Sequence, residues 1–309
     1  MHHRYLLATV AALTLAACSK PAEEAAQPAE EAPPEVASAD AGFPAEASAR
    51  LAEILAAQPD EVKARYVHRH PQKTIEFFGI EPGMTVLEGL PGRGWYTKVL
   101  APYLGSDGHV VGSAYSLEMY RLFPFASEEF MERQQNWTNS FPGDVAGWAG
   151  DDGASASAFH FGSMPEDVHG TVDAVFFPRV LHNLARFQNE GRADYLTIAL
   201  TDAYNALKPG GIMGIVQHEA REEMPDDWAF GGNGYIKKSF VIEQMEAVGF
   251  EFVAESAINE NPNDQPTTED VVWRLPPSYR GAGDDAGKRA AVDAIGESNR
   301  MTLKFRKPL

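Results

Sequence analysis

The residues best placed to do chemistry fall in three short runs. From Glu88 the chain reads Glu-Gly-Leu-Pro-Gly-Arg-Gly-Trp-Tyr, which sets Gly89, Pro91, Gly92, Gly94 and Tyr96 directly after an apolar run that ends in an acid. Glycines at such a point let the backbone approach a ligand closely, and the start of a following helix offers free N–H groups. The second run is Phe177-Pro178-Arg179-Val180-Leu181-His182-Asn183, and the third is Gln217-His218-Glu219. Neutral imidazoles there would supply a general base for an oxygen or nitrogen nucleophile, with Arg179 and Asn183 handling substrate. The bland alternatives are a His182 that caps its helix and an Arg179 held in a structural ion pair.

Three other chemistries are disfavoured. A dinucleotide fingerprint needs a third glycine where Thr97 stands, and an acid about 20 residues on where the chain reads Gly112-Ser113-Ala114-Tyr115. A phosphate loop would need Gly-Lys-Ser or Gly-Lys-Thr, which is absent. His182, His218 and Glu219 lack the spacing of a zinc site, so no metal is expected.

The elements that must position these runs alternate. Helical spacing marks Ala47 to Gln58, a second helix after Asp60 and a third from Pro71 to Gly79. Strand patterns follow at Met84 to Glu88, His109 to Ser113, Ala156 to Phe161, Val172 to Phe177 and Ile212 to Gln217. Helices are expected at Trp95 to Leu104, Ala193 to Leu207 and Ser239 to Val248. Phe250 to Ala257 and Met301 to Arg306 complete the strands. This alternation predicts an α/β fold with a mostly parallel sheet and helices on both faces. The residues of each run then stand at the carboxyl edge of the sheet, where open α/β folds bind ligands. Tyr120 to Gly150 reads as an aromatic-rich insertion near the cleft. Phe123, Phe125, Phe130, Trp137, Phe141, Trp148 and Tyr235 are candidates for an apolar pocket or a cap, with core packing as the alternative. Asn259 to Asp270 reads as a long loop, either lid or disordered.

The runs Arg69-His70-Pro71, Phe77-Phe78-Gly79, Glu81-Pro82-Gly83-Met84, Pro91 to Thr97, Leu100 to Tyr103, Leu207 to Gly211 and Gly296 to Phe305 together resemble a family of predicted class I methyltransferases, many of them exported. The resemblance implies a Rossmann-like, seven-stranded sheet, parallel except for the last strand, and S-adenosylmethionine as cofactor. Glu88 to Gly94 would cradle its methionine end, and its adenine would lie nearer Gly162, Ser163 and Met164. Leu90 stands where such proteins usually have the first glycine. With no acid ending the second strand, Glu118 or Tyr115 is left as a stand-in for the ribose contact.

The first residues set a compartment. Met1 to Ala17 has a basic start, an apolar run too short to span a bilayer, and Leu15-Ala16-Ala17-Cys18 at its end, as in a lipoprotein signal peptide. Cys18, the one cysteine, is then the lipidation site. Residues 18–45, rich in Ala, Pro and Glu, read as a disordered tether, and residues 46–309 as one methyltransferase-like domain. The expected location is the periplasmic face of the envelope, as an outer-membrane lipoprotein. A formal net charge of -18 argues against nucleic acid and leaves the lipid anchor as the only membrane contact. Methyl transfer to a small molecule is the expected activity. A non-catalytic binding module on the same fold is the alternative, and a metal-assisted hydrolase a weaker third.

Overall fold

The computed structural model describes residues 42–309. The signal peptide, Cys18 and nearly all of the tether lie outside the described residues.

Four short helices open the domain: α1 (Ala45–Ala57), α2 (Asp60–Lys63), α3 (Tyr66–Arg69) and α4 (Pro71–Phe78). The sheet strands are β1 (Thr85–Gly89), β2 (His109–Ala114), β3 (Ser155–His160), β4 (Val172–Pro178), β5 (Leu207–Ala220), the two-residue β6 (Ile236–Lys237), β7 (Glu251–Ser256) and β8 (Arg300–Arg306). Between them run α5 (Thr97–Leu104), α6 (Leu117–Tyr120), α7 (Glu128–Ala149), α8 (Leu181–Asn189), α9 (Tyr195–Ala206), α10 (Lys238–Val248) and α11 (Ala286–Ile295).

The strands order β3-β2-β1-β4-β5-β8-β7, with β6 paired to β5 outside this path. Only β8 runs against the rest, inserted between β5 and β7. This is the arrangement the sequence led one to expect, with β6 as an addition. Adjacent strand residues point to opposite faces, and both faces are dry, as in a parallel sheet covered by helices. Val86, Val110 and Phe176 pack under α1, α4, α5 and α7. Their neighbours Leu87, Val111, Val175 and Phe177 pack under α8, α9 and α10.

Two segments differ from expectation. Tyr120 to Gly150 is largely the 22-residue α7, capped by the Ser127 hydroxyl, which accepts from the Phe130 N–H at 3.2 Å. Pro142, Gly143 and Gly147 inside it lower helix propensity, and tertiary packing of Phe141 and Val145 overrides them. Its aromatics therefore divide. Phe141 is core, Trp137 packs on Phe141 and His160, and Phe123, Phe125 and Phe130 stack together elsewhere. The second difference is α11, which fully buries no residue and offers only Val292 and Ile295, both half-buried, as an apolar stripe.

The expected lid from Asn259 to Asp270 is instead pinned. Asp264 is buried and accepts from Tyr235 Oη (2.9 Å), Arg274 Nη2 (2.7 Å) and the Asn299 N–H (2.9 Å). Tyr235, fully buried in that network, belongs to no mobile cap.

Candidate active site

The order of strands reverses between β1 and β4, and the chain opens a crevice there by a local device. Beyond β1, Leu90 takes a left-handed backbone (φ 51°) and its N–H bonds outward to Ser113 O of β2 at 2.7 Å. Beyond β4, Arg179 does the same (φ 64°), its N–H bonding outward to Val216 O of β5 at 2.6 Å. The two strand ends thus turn away from each other. Each left-handed non-glycine residue costs about 1 kcal/mol or more, a strain that persists where the surroundings enforce it.

A cavity of about 300 Å³ lies at this point. Leu90, Arg179, His182, Asn183 and His218 line it, and the chain from Val272 to Ser278 walls it. Tyr115, Asn183, Trp273 and Ser278 are shared with a wider neighbouring cavity of about 1010 Å³, lined also by Tyr120 and Phe123.

Both imidazoles are held neutral. His182 is buried at the first turn of α8, and desolvation brings its pKa down to about 4. Asn183 Nδ2 lies 3.0 Å from its Nε2, and Gln217 Nε2 lies 3.4 Å from its Nδ1. Gln217 is itself oriented, since its Oε1 accepts from the Leu181 N–H and its Nε2 donates to Gly234 O. Amide groups thus face both ring nitrogens and offer a protonated ring nothing to donate to. His218 lies near the end of β5, opposite Arg300 of β8, its ring centroid 5.5 Å from that of His182. Burial, then His182 and the nearby arginines, hold it well below the ordinary imidazole value. Its Nδ1 sits 2.5 Å from Ser298 Oγ. With the Nδ1 proton donated to that hydroxyl, Nε2 keeps its lone pair and has no partner among the described residues.

Behind the cavity stands a group of arginines. Arg65 and Arg179 line it, and Arg69 and Arg300 are almost wholly buried beside them. Glu297 answers three of the four: Oε1 lies 2.5 Å from Arg65 Nη2, and Oε2 lies 3.5 Å from Arg69 Nε and 3.3 Å from Arg300 Nη2. Burial pushes the Glu297 carboxyl up, but Arg300, Arg69 and Arg65 outweigh it and hold it below the ordinary value. Arg69 also lies over the Trp95 ring, 4.3 Å from its centroid, and burial brings its pKa down to about 9. Arg179 has neither hydrogen bond nor ion pair for its guanidinium among the described residues; burial, then the Arg300 charge, lowers its pKa.

Of the residues singled out from sequence, Arg179, His182, Asn183 and His218 converge on the one cavity. The glycine turn stands beside it through Leu90. Gly92 is exposed at φ 60° with open space around it, whereas Gly89 and Gly94 are closed by the protein itself. A Cβ on Gly89 would strike Phe177 and Val180, and one on Gly94 would lie 2.4 Å from the Trp148 ring. Pro91 and Tyr96 are buried, the Tyr96 ring edge-on to Trp95 and Phe176. Glu88 is 1 % exposed and accepts from Thr97 Oγ1 at 2.7 Å. Ser163 is exposed and Met164 half-buried past the end of β3, and neither lines the two cavities above. Tyr115 is buried with its hydroxyl donating to Val180 O, while Glu118 is exposed. Sequence reading missed Arg65, Arg69, Glu297 and Arg300 as site residues. They come from opposite ends of the chain, in polar stretches where a further charge carries no signal. Among the described residues no three His, Cys, Asp or Glu side chains are grouped to hold a metal ion.

No protein-family profile matches the chain, and no curated relative does. Some solved structures are partly similar. A SAM-dependent methyltransferase from Aquifex aeolicus is 16% identical, with 81% of this chain and 98% of that one covered at a TM-score of 0.46. An arsenic(III) S-adenosylmethionine methyltransferase from Chlamydomonas reinhardtii is 16% identical, covering 84% and 73% at 0.42. The cyclase SpnF is 17% identical, covering 78% and 81% at 0.47. Likeness of this degree carries no argument, and the Rossmann-like fold rests on the strand order itself.

Proposed function

We propose that the chain transfers a methyl group from S-adenosylmethionine to an oxygen or nitrogen of a small molecule held in the 300 Å³ cavity. One observation carries the reading: the two strand ends at the switch point turn apart, and the crevice they open is lined by His218, whose Nδ1 faces Ser298 Oγ. The donor set suits the cofactor. The exposed turn at Gly92 and the unpaired Arg179 guanidinium would hold its amino-acid end, and the aromatic walls Tyr115, Tyr120 and Phe123 of the wider cavity would stack its purine. When bound, the cofactor supplies a methyl group on a positively charged sulfur, which leaves as a neutral thioether.

The protein's part is mainly orientation. Trp273 and Leu275 to Pro277 keep water from the crevice. His218 Nε2 takes the proton of the acceptor O–H or N–H as the new bond to carbon forms, with Ser298 Oγ holding the Nδ1 proton in place. His182, both ring nitrogens faced by amides, is a positioning residue. The sequence pattern ending at Cys18 adds that the domain works outside the cytoplasm on a lipid tether. A second reading, a ligand-binding module without catalysis, draws on Trp148 closing Gly94 and on Tyr115 where a ribose-binding acid would be expected.

Isothermal titration of S-adenosylmethionine and its demethylated product into the full chain separates the two. Micromolar binding abolished by Gly92→Arg is the expected result. No binding at millimolar ligand would overturn methyl transfer and leave the binding module.

A further inference from the structure

Arg65 and Arg179 line the 300 Å³ cavity, Arg69 and Arg300 stand behind it, and one carboxylate, Glu297, is set among these guanidinium groups. Four positive charges against one negative leave a formal excess of three. Buried charge is costly unless paired, and an excess of one sign is costlier still. The chain does not lack carboxylates to place there, since it has 44 acidic residues against 26 basic ones. Glu297 is already taken up by Arg65, Arg69 and Arg300. Arg300 also donates to His68 O at 2.7 Å, and Arg69 rests on Trp95. Arg179 alone is left, held by its left-handed backbone at the mouth of the crevice, with the Arg300 charge beside it.

We propose that this cavity receives an oxyanion, a carboxylate or phosphate group carried by its ligand, and that Arg179 is the residue that contacts it. A guanidinium presents a planar fork of donors that matches either group with two parallel hydrogen bonds. The inference rests on the cavity used for the proposed methyl transfer, and it deepens that reading by naming the charge of what enters. The oxyanion has two sources, the cofactor's own amino-acid carboxylate or an acidic acceptor. Its arrival also bears on the base. Burial is the largest cause of the low His218 pKa and would persist, so an anion would offset only the part that Arg179, Arg300 and Arg69 contribute.

The test uses the full chain, with inorganic phosphate and succinate as probe anions in thermal-shift and calorimetric titrations, for the native protein and Arg179→Met. Saturable stabilisation that weakens with added chloride is expected for the native protein, and at least a tenfold loss of affinity for the variant. The ligand-free variant should melt at the same temperature as the native protein or higher, because the methionine removes an unpaired cation. A purely structural arginine would show the opposite. No saturable anion effect, equal binding by the variant, or a lowered ligand-free melting temperature would each overturn the proposal. Comparing S-adenosylhomocysteine with 5′-methylthioadenosine, which lacks the carboxylate, then separates the sources. Weakening of the former alone by Arg179→Met assigns the anion to the cofactor. Unchanged binding of both, with the probe anions still lost, assigns it to the acceptor. Phosphate binding without either nucleoside would remove methyl transfer and leave the oxyanion site standing.

Discussion

Replacing Glu88 with glutamine should make the protein more stable in alkali than the native chain, by an amount that follows from burial. Glu88 ends β1 with 1 % of its surface exposed, and its only side-chain partner is the Thr97 hydroxyl. Desolvation raises its pKa from 4.5 to about 7, against the lowering effect of the Thr97 hydrogen bond. In the unfolded chain the carboxyl ionises near 4.5, whereas in the folded one it keeps its proton until about 7. Folding therefore binds a proton in that window, and stability falls as pH rises through it. At 1.36 kcal/mol per unit, 2.5 units amount to roughly 3 kcal/mol lost by pH 8. Glutamine has the same shape, still accepts from Thr97 and never ionises. Denaturant unfolding of both proteins at pH 4.5 and pH 8 measures the effect, since all other titrating groups cancel in the difference between their two pH responses. That double difference should be roughly 3 kcal/mol in favour of the variant. An equal pH response in the two proteins would refute the reasoning, because it would mean that Glu88 ionises as freely folded as unfolded.

Two further outcomes follow from the site and its walls. His182 titrates in the opposite sense: its folded pKa is lowered from 6.5 to about 4, so stability holds above pH 6.5 and falls by up to roughly 3 kcal/mol as pH drops to 4. His182→Gln should remove that acid-side loss in the same unfolding assay, and an unaltered acid limb would show that the ring takes up a proton without penalty. Asp264 joins Tyr235, Arg274 and Asn299 behind the cavity wall, so Asp264→Ala strips three buried donors of their acceptor while Arg274 keeps Asp270, and should cost about 1–3 kcal/mol. Proteolysis should then open the chain between Val271 and Asp285 first. Protection of that stretch would show that the wall is held by other contacts.

The sequence by itself determined the layers and the edge at which to look. Runs such as Val86-Leu87, Val110-Val111 and Phe176-Phe177 are apolar on both faces, which only a covered parallel sheet satisfies, and the strand-to-helix turn after Glu88 marks its carboxyl edge. Because strand ends share that edge, Arg179, His182, Asn183 and His218 group together from the sequence alone. Periodicity did not reveal α11, which fully buries no residue, or α7, whose aromatic-rich segment reads as an insertion. Tertiary structure alone decided that Gly89 and Gly94 serve packing against Phe177, Val180 and Trp148, since a glycine looks the same in sequence whether a ligand or a side chain lies against it. It alone brought Arg65 and Arg69 to Glu297 and Arg300, more than 200 residues away along the chain. Charge carries no periodicity, and what makes these groups a site is their shared desolvation, a property of the folded interior.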